Sequence, residues 1–154
     1  MSKTKPFHTS EPVYNTKKSI FDGLPYPKRS SYEKLFMIYL DNQKEVLAYT
    51  KVLPRFPIKI PYYDKDGFIR HYIPDFIVKT KKGIYLIETK GKGFEEMETA
   101  KLKAEAAEEW CNSISRLTKK KWYYVKIIDS DFELYKTLNF SRLIKAVSKS
   151  KKGK

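Results

Sequence analysis

The chain has 154 residues, of which 41% are hydrophobic and 15% aromatic, so it is long enough for one folded domain and too apolar to be intrinsically disordered. Its formal net charge of +14, from 32 Lys and Arg against 18 Asp and Glu, predicts a polyanionic partner such as nucleic acid. Cys111 is the only cysteine, and no apolar run is long enough to span a membrane. These features exclude an internal disulfide and predict a cytoplasmic protein without a membrane partner.

The N-terminal residues carry turn-forming prolines and no sustained periodicity. Four prolines punctuate residues 1–29, so we expect an irregular arm or linker there. From residue 30 to about residue 42, apolar side chains recur at helical spacing. We therefore predict a folded domain over residues 30–148, followed by a basic tail over residues 149–154.

Three strands are predicted between residues 52 and 91. Residues 52–63 contain three prolines and predict an irregular edge strand, because proline cannot donate to a sheet ladder. Two apolar strands follow, over residues 72–79 and 84–91, and a tight turn joins them. Both faces of this hairpin are largely apolar, which predicts burial in a layered fold.

Three charged residues, Asp75, Glu88 and Lys90, lie in the inner halves of these two strands. Side chains two residues apart on a strand point to the same face, so Glu88 and Lys90 share one. A loop of two or four residues pairs Lys79 with Ile84 and places Asp75 opposite Glu88. Cross-strand partners lie about 5 Å apart at Cβ, where two like charges are destabilising.

This acid pair has two interpretations. In the first, a solvated hairpin face carries Asp75, Glu88 and Lys90 as an ion-paired trio. In the second, a divalent cation resolves the repulsion, since hard cations such as Mg²⁺ are held by one or two carboxylates together with water and substrate phosphates. The pattern favours the second interpretation, because the face that carries the charges is otherwise apolar and buried acids are rare.

The rest of the chain predicts a helix, a strand and a short terminal helix. The strand covers residues 122–128, which are rich in aromatic and β-branched side chains, and the terminal helix covers residues 141–148. The longer helix, of about twenty residues, is predicted from apolar positions that step by three and four: Met97, Ala100, Ala104, Ala107, Cys111 and Ile114. The order of elements predicts an α/β sandwich with a central mixed β-sheet flanked by helices.

Glu33 has a structural and a functional interpretation. The segment Ser30-Ser-Tyr-Glu33 fits a capping box, in which the glutamate bonds back to the cap residue. However, apolar residues follow three, four and seven positions later, so Glu33 flanks the inward face of its helix and is able to reach a site between helix and sheet. The two roles can coexist.

The acids and their surroundings resemble those of a known group of nucleases. Pro74-Asp75, followed thirteen positions later by Glu88-Thr89-Lys90, is similar to the PD-(D/E)XK pattern of metal-dependent nucleases. Over about residues 14–140, the chain most resembles the C-terminal endonuclease domain of type III restriction enzymes. The segments that carry this resemblance are Thr16-Lys-Lys-Ser19, Tyr72-Ile-Pro-Asp-Phe76, Ile87-Glu-Thr-Lys-Gly91, Lys103-Ala-Glu-Ala-Ala-Glu-Glu-Trp-Cys111 and Lys121-Trp-Tyr-Tyr-Val125.

The resemblance implies a restriction-endonuclease-like fold and a DNA endonuclease that depends on Mg²⁺ or Mn²⁺, with double-stranded DNA as the expected substrate. It implies that Asp75, Glu88 and the backbone carbonyl of Thr89 hold the metal, and that Glu33 is an outer ligand. Lys90 is expected to activate water or to stabilise charge on the phosphate. The residues expected to contact DNA are Lys92, Lys103, Lys119, Lys120, Lys121, Arg142 and Lys145. Of these, Lys103 fits a solvated helix position equally well.

Several alternatives remain open on the sequence. Type III enzymes carry an ATP-driven motor upstream of this domain, whereas the chain contains no phosphate-binding loop, so a helicase or translocase partner and a free-standing enzyme are both consistent with it. A free-standing nuclease acting on branched DNA or in transposition needs paired cuts and is expected to be a homodimer. A non-catalytic DNA-binding module is the alternative from a different class, and the intact acid pair argues against it.

Overall fold

The computed structural model describes residues 8–29, 31–91 and 97–150. None of the helices in these ranges is both long enough and apolar enough to cross a membrane. In chain order the elements are β1 (Val13–Asn15), β2 (Gly23–Pro25), α1 (Tyr32–Asn42), β3 (Val46–Lys51), β4 (Ile60–Tyr63), β5 (Ile69–Tyr72), β6 (Phe76–Thr80), β7 (Ile84–Lys90), α2 (Met97–Thr118), β8 (Trp122–Ile128), α3 (Asp129–Tyr135) and α4 (Phe140–Ser150).

A four-stranded mixed sheet in the order β3-β6-β7-β8 forms the centre of the fold. The pairs β3–β6 and β6–β7 are antiparallel, whereas the pair β7–β8 is parallel. Lys79 pairs with Ile84 across the central hairpin, which confirms the predicted register. The parallel pair requires a crossover connection, and α2 provides it.

Helices cover both faces of this sheet, as the sequence predicts for an α/β sandwich. One apolar cluster includes Phe36 and Phe76 together with Phe132 and Phe140, and so joins one sheet face to α1, α3 and α4. The second cluster includes Leu86 and packs the opposite face against α2 and the β4–β5 hairpin. The predicted fold class is therefore confirmed.

The predicted long helix and the strand after it are confirmed, and both rest on sustained local patterns. Helix α2 buries Ala107 and Cys111, two positions of its predicted apolar face, and burial raises the pKa of the Cys111 thiol to about 12. Strand β8 covers the predicted residues 122–128. Helix α4 extends to Ser150, two residues beyond the predicted domain end.

The prediction of an irregular N-terminal arm is wrong within the described residues. Strands β1 and β2 form an antiparallel hairpin there, with Leu24 fully buried. This hairpin is attached to α1, because Asp41 accepts hydrogen bonds from the Tyr14 hydroxyl at 2.9 Å and the Lys17 backbone at 3.1 Å. Three-residue strands are too short to show a periodicity, so only their tertiary contacts reveal them.

Two predicted strands are interrupted. Of residues 52–63, only Ile60–Tyr63 is a strand, and it pairs with Ile69–Tyr72 in a separate two-stranded sheet. The strand predicted over residues 72–79 is broken before Asp75, because Pro74 provides no N–H for a ladder. The sequence reading also missed β3 and the short helix α3.

Candidate active site

Asp75 lies at the point where the central sheet begins, directly before β6. Its backbone N–H donates to the Ile87 carbonyl at 3.1 Å, and its own carbonyl accepts from the Val52 N–H at 2.7 Å. The residue is thus tied to the segments on both sides, the residue that follows β3 and the middle of β7. Its main-chain position is fixed by the sheet and does not depend on a flexible loop.

The carboxylate of Asp75 is held by Thr89. Oδ2 accepts the Thr89 backbone N–H and the Thr89 hydroxyl, each at 2.7 Å. Burial raises the pKa of Asp75 above its ordinary value, and the Thr89 hydrogen bonds together with the charges of Lys51 and Lys90 partly offset that rise. The effect of burial on the pKa is larger than these opposing effects, so the ionised form of Asp75 is costly in this environment.

Glu33 lies beside Asp75 and is paired with Lys51. The Glu33 carboxylate contacts the Lys51 ammonium, with the side chains only 16% and 17% exposed. Burial raises the pKa of Glu33, Lys51 lowers it, and the charge of Asp75 raises it again. The last effect shows that helix α1 brings Glu33 close enough to Asp75 for the two charges to interact.

The capping box predicted for Glu33 starts at Ser30, which lies outside the described residues. Helix α1 begins at Tyr32, its N-cap is Ser31, and no side-chain hydrogen bond caps it. Glu33 is then the second helical residue, and its carboxylate turns toward β3. The carboxylate oxygen that contacts Lys51 is part of the site role of Glu33.

Glu88 has a different set of partners from Asp75. The Tyr72 hydroxyl donates to its Oε2 at 2.7 Å, and the buried Tyr72 ring packs edge-on against Tyr124 at 6.3 Å between centroids. Burial raises the pKa of Tyr72, and Glu88 and Tyr124 raise it further, so the phenol stays protonated and remains a donor. In the parallel register, Lys126 of β8 lies directly beside Glu88.

The register of the hairpin is the one that predicts Asp75 opposite Glu88. The last regular pair of the hairpin is Phe76 with Ile87, so Asp75 and Glu88 are the next residues on each strand. Their carboxylates, however, accept hydrogen bonds from different groups, Thr89 and Tyr72. Each of the two acids therefore has its own hydrogen-bond donor.

Lys90 is the last residue of β7, and its charge lowers the pKa of Asp75. Two lysines from different strands, Lys51 and Lys90, thus act on one half-buried carboxylate. The sequence predicted one of them, Lys90, from the motif.

The donor set fits a hard divalent cation. Asp75 and Glu88 offer carboxylate oxygens, Glu33 is nearby, and burial raises the pKa of both Asp75 and Glu33. Among residues 8–29, 31–91 and 97–150, no three His, Cys, Asp or Glu side chains form a cluster that could hold a metal by themselves. Mg²⁺ does not need such a cage, because it keeps several waters and takes one or two carboxylates with the substrate phosphates.

Three of the predicted DNA-contacting residues lie far from the acids. Strands β7 and β8 run parallel, with Ile84 beside Trp122 and Lys90 beside Ile128. Lys119, Lys120 and Lys121 precede Trp122, so they lie at the opposite end of the sheet from Lys90, about 20 Å away at the rise of a strand.

The remaining basic residues of that prediction lie on α4, on α2 and outside the described residues. Arg142 and Lys145 are exposed on α4, whose first turn contacts the β6–β7 turn through the Lys82 ammonium and the Ser141 hydroxyl at 3.3 Å. Lys103 is half-buried on α2. Lys92 lies outside the described residues.

Three residues that sequence reasoning missed contribute to the site. Lys51 has no signal in the sequence, because one lysine among many carries no pattern. Tyr72 lies three residues before Asp75, and a buried tyrosine close to a motif acid is a detectable candidate. Tyr124 lies on the face of β8 that Trp122 and Lys126 share, so period-two alternation would have indicated its direction.

A mixed sheet covered by helices on both faces, with acids and lysines at the end of its central strands, defines a restriction-endonuclease-like domain. The family model described as "Endonuclease domain" matches residues 17–130. The chain belongs to this endonuclease-domain family, which places it among the nucleases, and the matched region contains all of the acids described above. No curated protein and no solved structure gives a significant match to the chain.

Proposed function

We propose that the protein is a Mg²⁺-dependent endonuclease that hydrolyses phosphodiester bonds in double-stranded DNA. The observation that carries this proposal is the half-buried Asp75 carboxylate, held by Thr89 beside Glu33, Lys51 and Lys90 at the end of the central sheet. Three charged groups, Glu33, Lys51 and Lys90, surround one desolvated acid. A packed apolar residue would stabilise the fold better than this arrangement, so it has no structural use.

Asp75, Glu88 and the backbone carbonyl of Thr89 would hold the cation, with Glu33 as an outer ligand. When bound, Mg²⁺ supplies Lewis acidity that acidifies water and offsets charge on the phosphate. The same site accepts Mn²⁺ on chemical grounds, because both ions prefer oxygen ligands.

The residues of the chain have distinct roles in this proposal. Lys90 orients the attacking water and stabilises negative charge as it develops on the scissile phosphate, a task suited to a flexible point charge. Thr89 holds Asp75 in one orientation. Tyr72 does the same for Glu88, because a phenol with a raised pKa donates a hydrogen bond throughout the neutral pH range.

The partner and the compartment are proposals as well. The resemblance to type III restriction enzymes supports a restriction system in which a helicase or translocase delivers the DNA, and the lone buried cysteine suits a cytoplasmic enzyme. Double-strand cleavage by one site requires two cuts, so a homodimer is the simplest assembly in the absence of a motor.

The test is incubation of supercoiled plasmid with the protein, in Mg²⁺ and in EDTA. We expect nicked or linear plasmid in Mg²⁺ and intact plasmid in EDTA. Asp75→Asn should be inactive, whereas Asp66→Asn, an exposed acid in the β4–β5 turn, should cut like the wild type. Cleavage by Asp75→Asn or in EDTA would overturn the site, and binding without cleavage in both Mg²⁺ and Mn²⁺ would show a non-catalytic DNA-binding module.

A further inference from the structure

A groove runs beside the candidate active site, between the N-terminal hairpin and the segment that follows β3. It has a volume of about 750 Å³, within the range of about 300–1,000 Å³ that is typical of ligand sites. One wall is formed by residues 25–27, and the other by residues 51–55. The sequence predicted nothing at this position, because residues 1–29 were expected to be irregular.

The lining of the groove combines an aromatic ring with fixed positive charge. Tyr26 is half-buried between two prolines, and the Lys34 ammonium lies 5.4 Å from the centre of its ring. Lys34 itself is not part of the lining. The charged residues that line the groove are Lys51, Arg55, which lies over the Phe21 ring at 5.8 Å, and one acid, Glu11. An aromatic platform with cations around it is the arrangement that binds single-stranded nucleic acid, because every base offers a π-face and every link a phosphate.

The groove is continuous with the candidate active site. Lys51 lines the groove and contacts Glu33 with its ammonium. The next residue, Val52, donates its N–H to the carbonyl of Asp75 at 2.7 Å. A strand lying in the groove therefore passes a segment that is hydrogen-bonded to the backbone of Asp75, the residue whose carboxylate is proposed to hold the metal.

We propose that this groove binds an unpaired nucleotide of the DNA strand that carries the scissile phosphate. Tyr26 stacks on the base, and Arg55 binds a backbone phosphate at the outer end of the groove. The inference rests on the proposed function and refines its substrate, which becomes DNA with a single-stranded nucleotide next to the cut.

The experiment measures binding in EDTA, by fluorescence anisotropy of labelled DNA, so that cleavage plays no part in it. Three probes are compared: a single-stranded oligonucleotide, a blunt duplex, and the same duplex with a three-nucleotide overhang. We expect the overhang to bind more tightly than the blunt duplex. Tyr26→Leu should weaken binding of the overhang and the single strand about tenfold or more, the usual effect of losing one stacked base.

Matched variants separate stacking from folding. Tyr26→Leu keeps an apolar side chain against the core, and Tyr26→Phe keeps the ring and should bind like the wild type. Tyr63→Leu removes a tyrosine that is 65% exposed on the β4–β5 hairpin and should change nothing. Arg55→Gln should reduce the salt dependence of overhang binding by about one unit.

Equal binding of the overhang by wild type and Tyr26→Leu would overturn the inference, as would equal wild-type affinity for overhang and blunt duplex. The two proposals fail separately. If the protein cleaves plasmid and Tyr26→Leu has no effect on binding, the groove proposal fails and the nuclease proposal stands. If Tyr26→Leu weakens binding but no DNA is cleaved in Mg²⁺, the nuclease proposal fails and the groove proposal stands.

Discussion

Thr89 donates two hydrogen bonds to one oxygen of Asp75, one from its backbone N–H and one from its hydroxyl, each 2.7 Å long. The carboxylate therefore has a fixed orientation before any ligand arrives, with Oδ1 left out of this pair of bonds. Preorganised ligands cost less to use than mobile ones. The X position of the nuclease motif is thus a positioning residue in this chain, through its side chain as well as its backbone.

Replacing Thr89 by Val keeps its shape and its N–H but removes the hydroxyl. Asp75 then loses a hydrogen bond that holds its charged form, so we expect the free energy of unfolding at neutral pH to fall by about 1–3 kcal/mol. Cleavage should fall about 10- to 100-fold, the usual effect of losing a group that orients a metal ligand. Thr89→Ser should restore both in urea unfolding and plasmid assays. If Thr89→Val has the stability and the cleavage activity of the wild type, the hydroxyl of Thr89 contributes to neither.

Lys90→Ala should separate metal binding from chemistry. The ammonium is expected to act on water and phosphate, so cleavage should be lost while the cation still binds. Melting temperatures with and without Mg²⁺ test this: the stabilisation by Mg²⁺ should persist in Lys90→Ala and disappear in Asp75→Asn, because only binding to the folded state raises stability. If both variants lose the Mg²⁺ effect, Lys90 supports the acids themselves.

Lys51→Met leaves the largely buried side chain of Glu33, 16% exposed, without its partner. We expect a loss of about 3 kcal/mol of unfolding free energy, because an unpaired buried charge costs more than the pair contributes. Glu33→Gln in the same chain should recover most of the loss. Lys136→Met is the matched control, since Lys136 pairs with Glu133 at 2.6 Å on the exposed side of α3, and it should cost no more than about 1 kcal/mol. Equal losses in the two variants would contradict the burial argument.

The raised pKa values of Asp75 and Glu33 predict a pH dependence of stability. At a pH between the unfolded-state pKa and a higher folded-state pKa, a carboxyl group binds more protons in the folded protein than in the unfolded protein. Stability therefore falls as pH rises through that window, which starts at about pH 4. Unfolding in EDTA across a pH series should show this fall in the wild type and a smaller one in Asp75→Asn.

Asp64 is the control for that experiment, because a hydrogen bond from Arg70 lowers its pKa. The ionised Asp64 therefore contributes stability that is present above its unfolded-state pKa and is lost as pH falls. Asp64→Asn should remove this contribution, whose pH dependence is opposite to that of Asp75. A wild-type curve that rises through pH 4 to 6, and is unchanged by Asp75→Asn, would show that Asp75 is not desolvated.

Trp110 packs edge-on against Trp122, with ring centroids 5.6 Å apart, so we expect a structural role. Trp110→Ala should reduce the free energy of unfolding by about 3 kcal/mol, the lower end for a large aromatic residue because the ring is half-buried. Leu117→Ala, at a position of α2 that is 78% exposed, should change it by no more than about 0.5 kcal/mol. Normal stability with weakened DNA binding would assign Trp110 to base stacking.

Local pattern was enough to predict the scaffold of the site. The two-residue alternation and the short turn between Lys79 and Ile84 set the hairpin register, and the sustained spacing of apolar residues set α2. These signals work because a strand or a long helix must present its apolar side chains at a fixed period to one neighbour. The acids of the motif followed from the same register.

The contacts that make a site of these acids depend on the tertiary structure. Whether Glu33 meets Lys51 or caps its helix depends on where β3 lies against α1, and no local pattern encodes that distance. The parallel direction of β8 places Lys119, Lys120 and Lys121 at the far end of the sheet from Lys90, although all four are simply lysines in the sequence. Net charge is a sum over the chain, whereas the field at Asp75 falls with distance and rises with burial, so only the packed fold decides which charges act there.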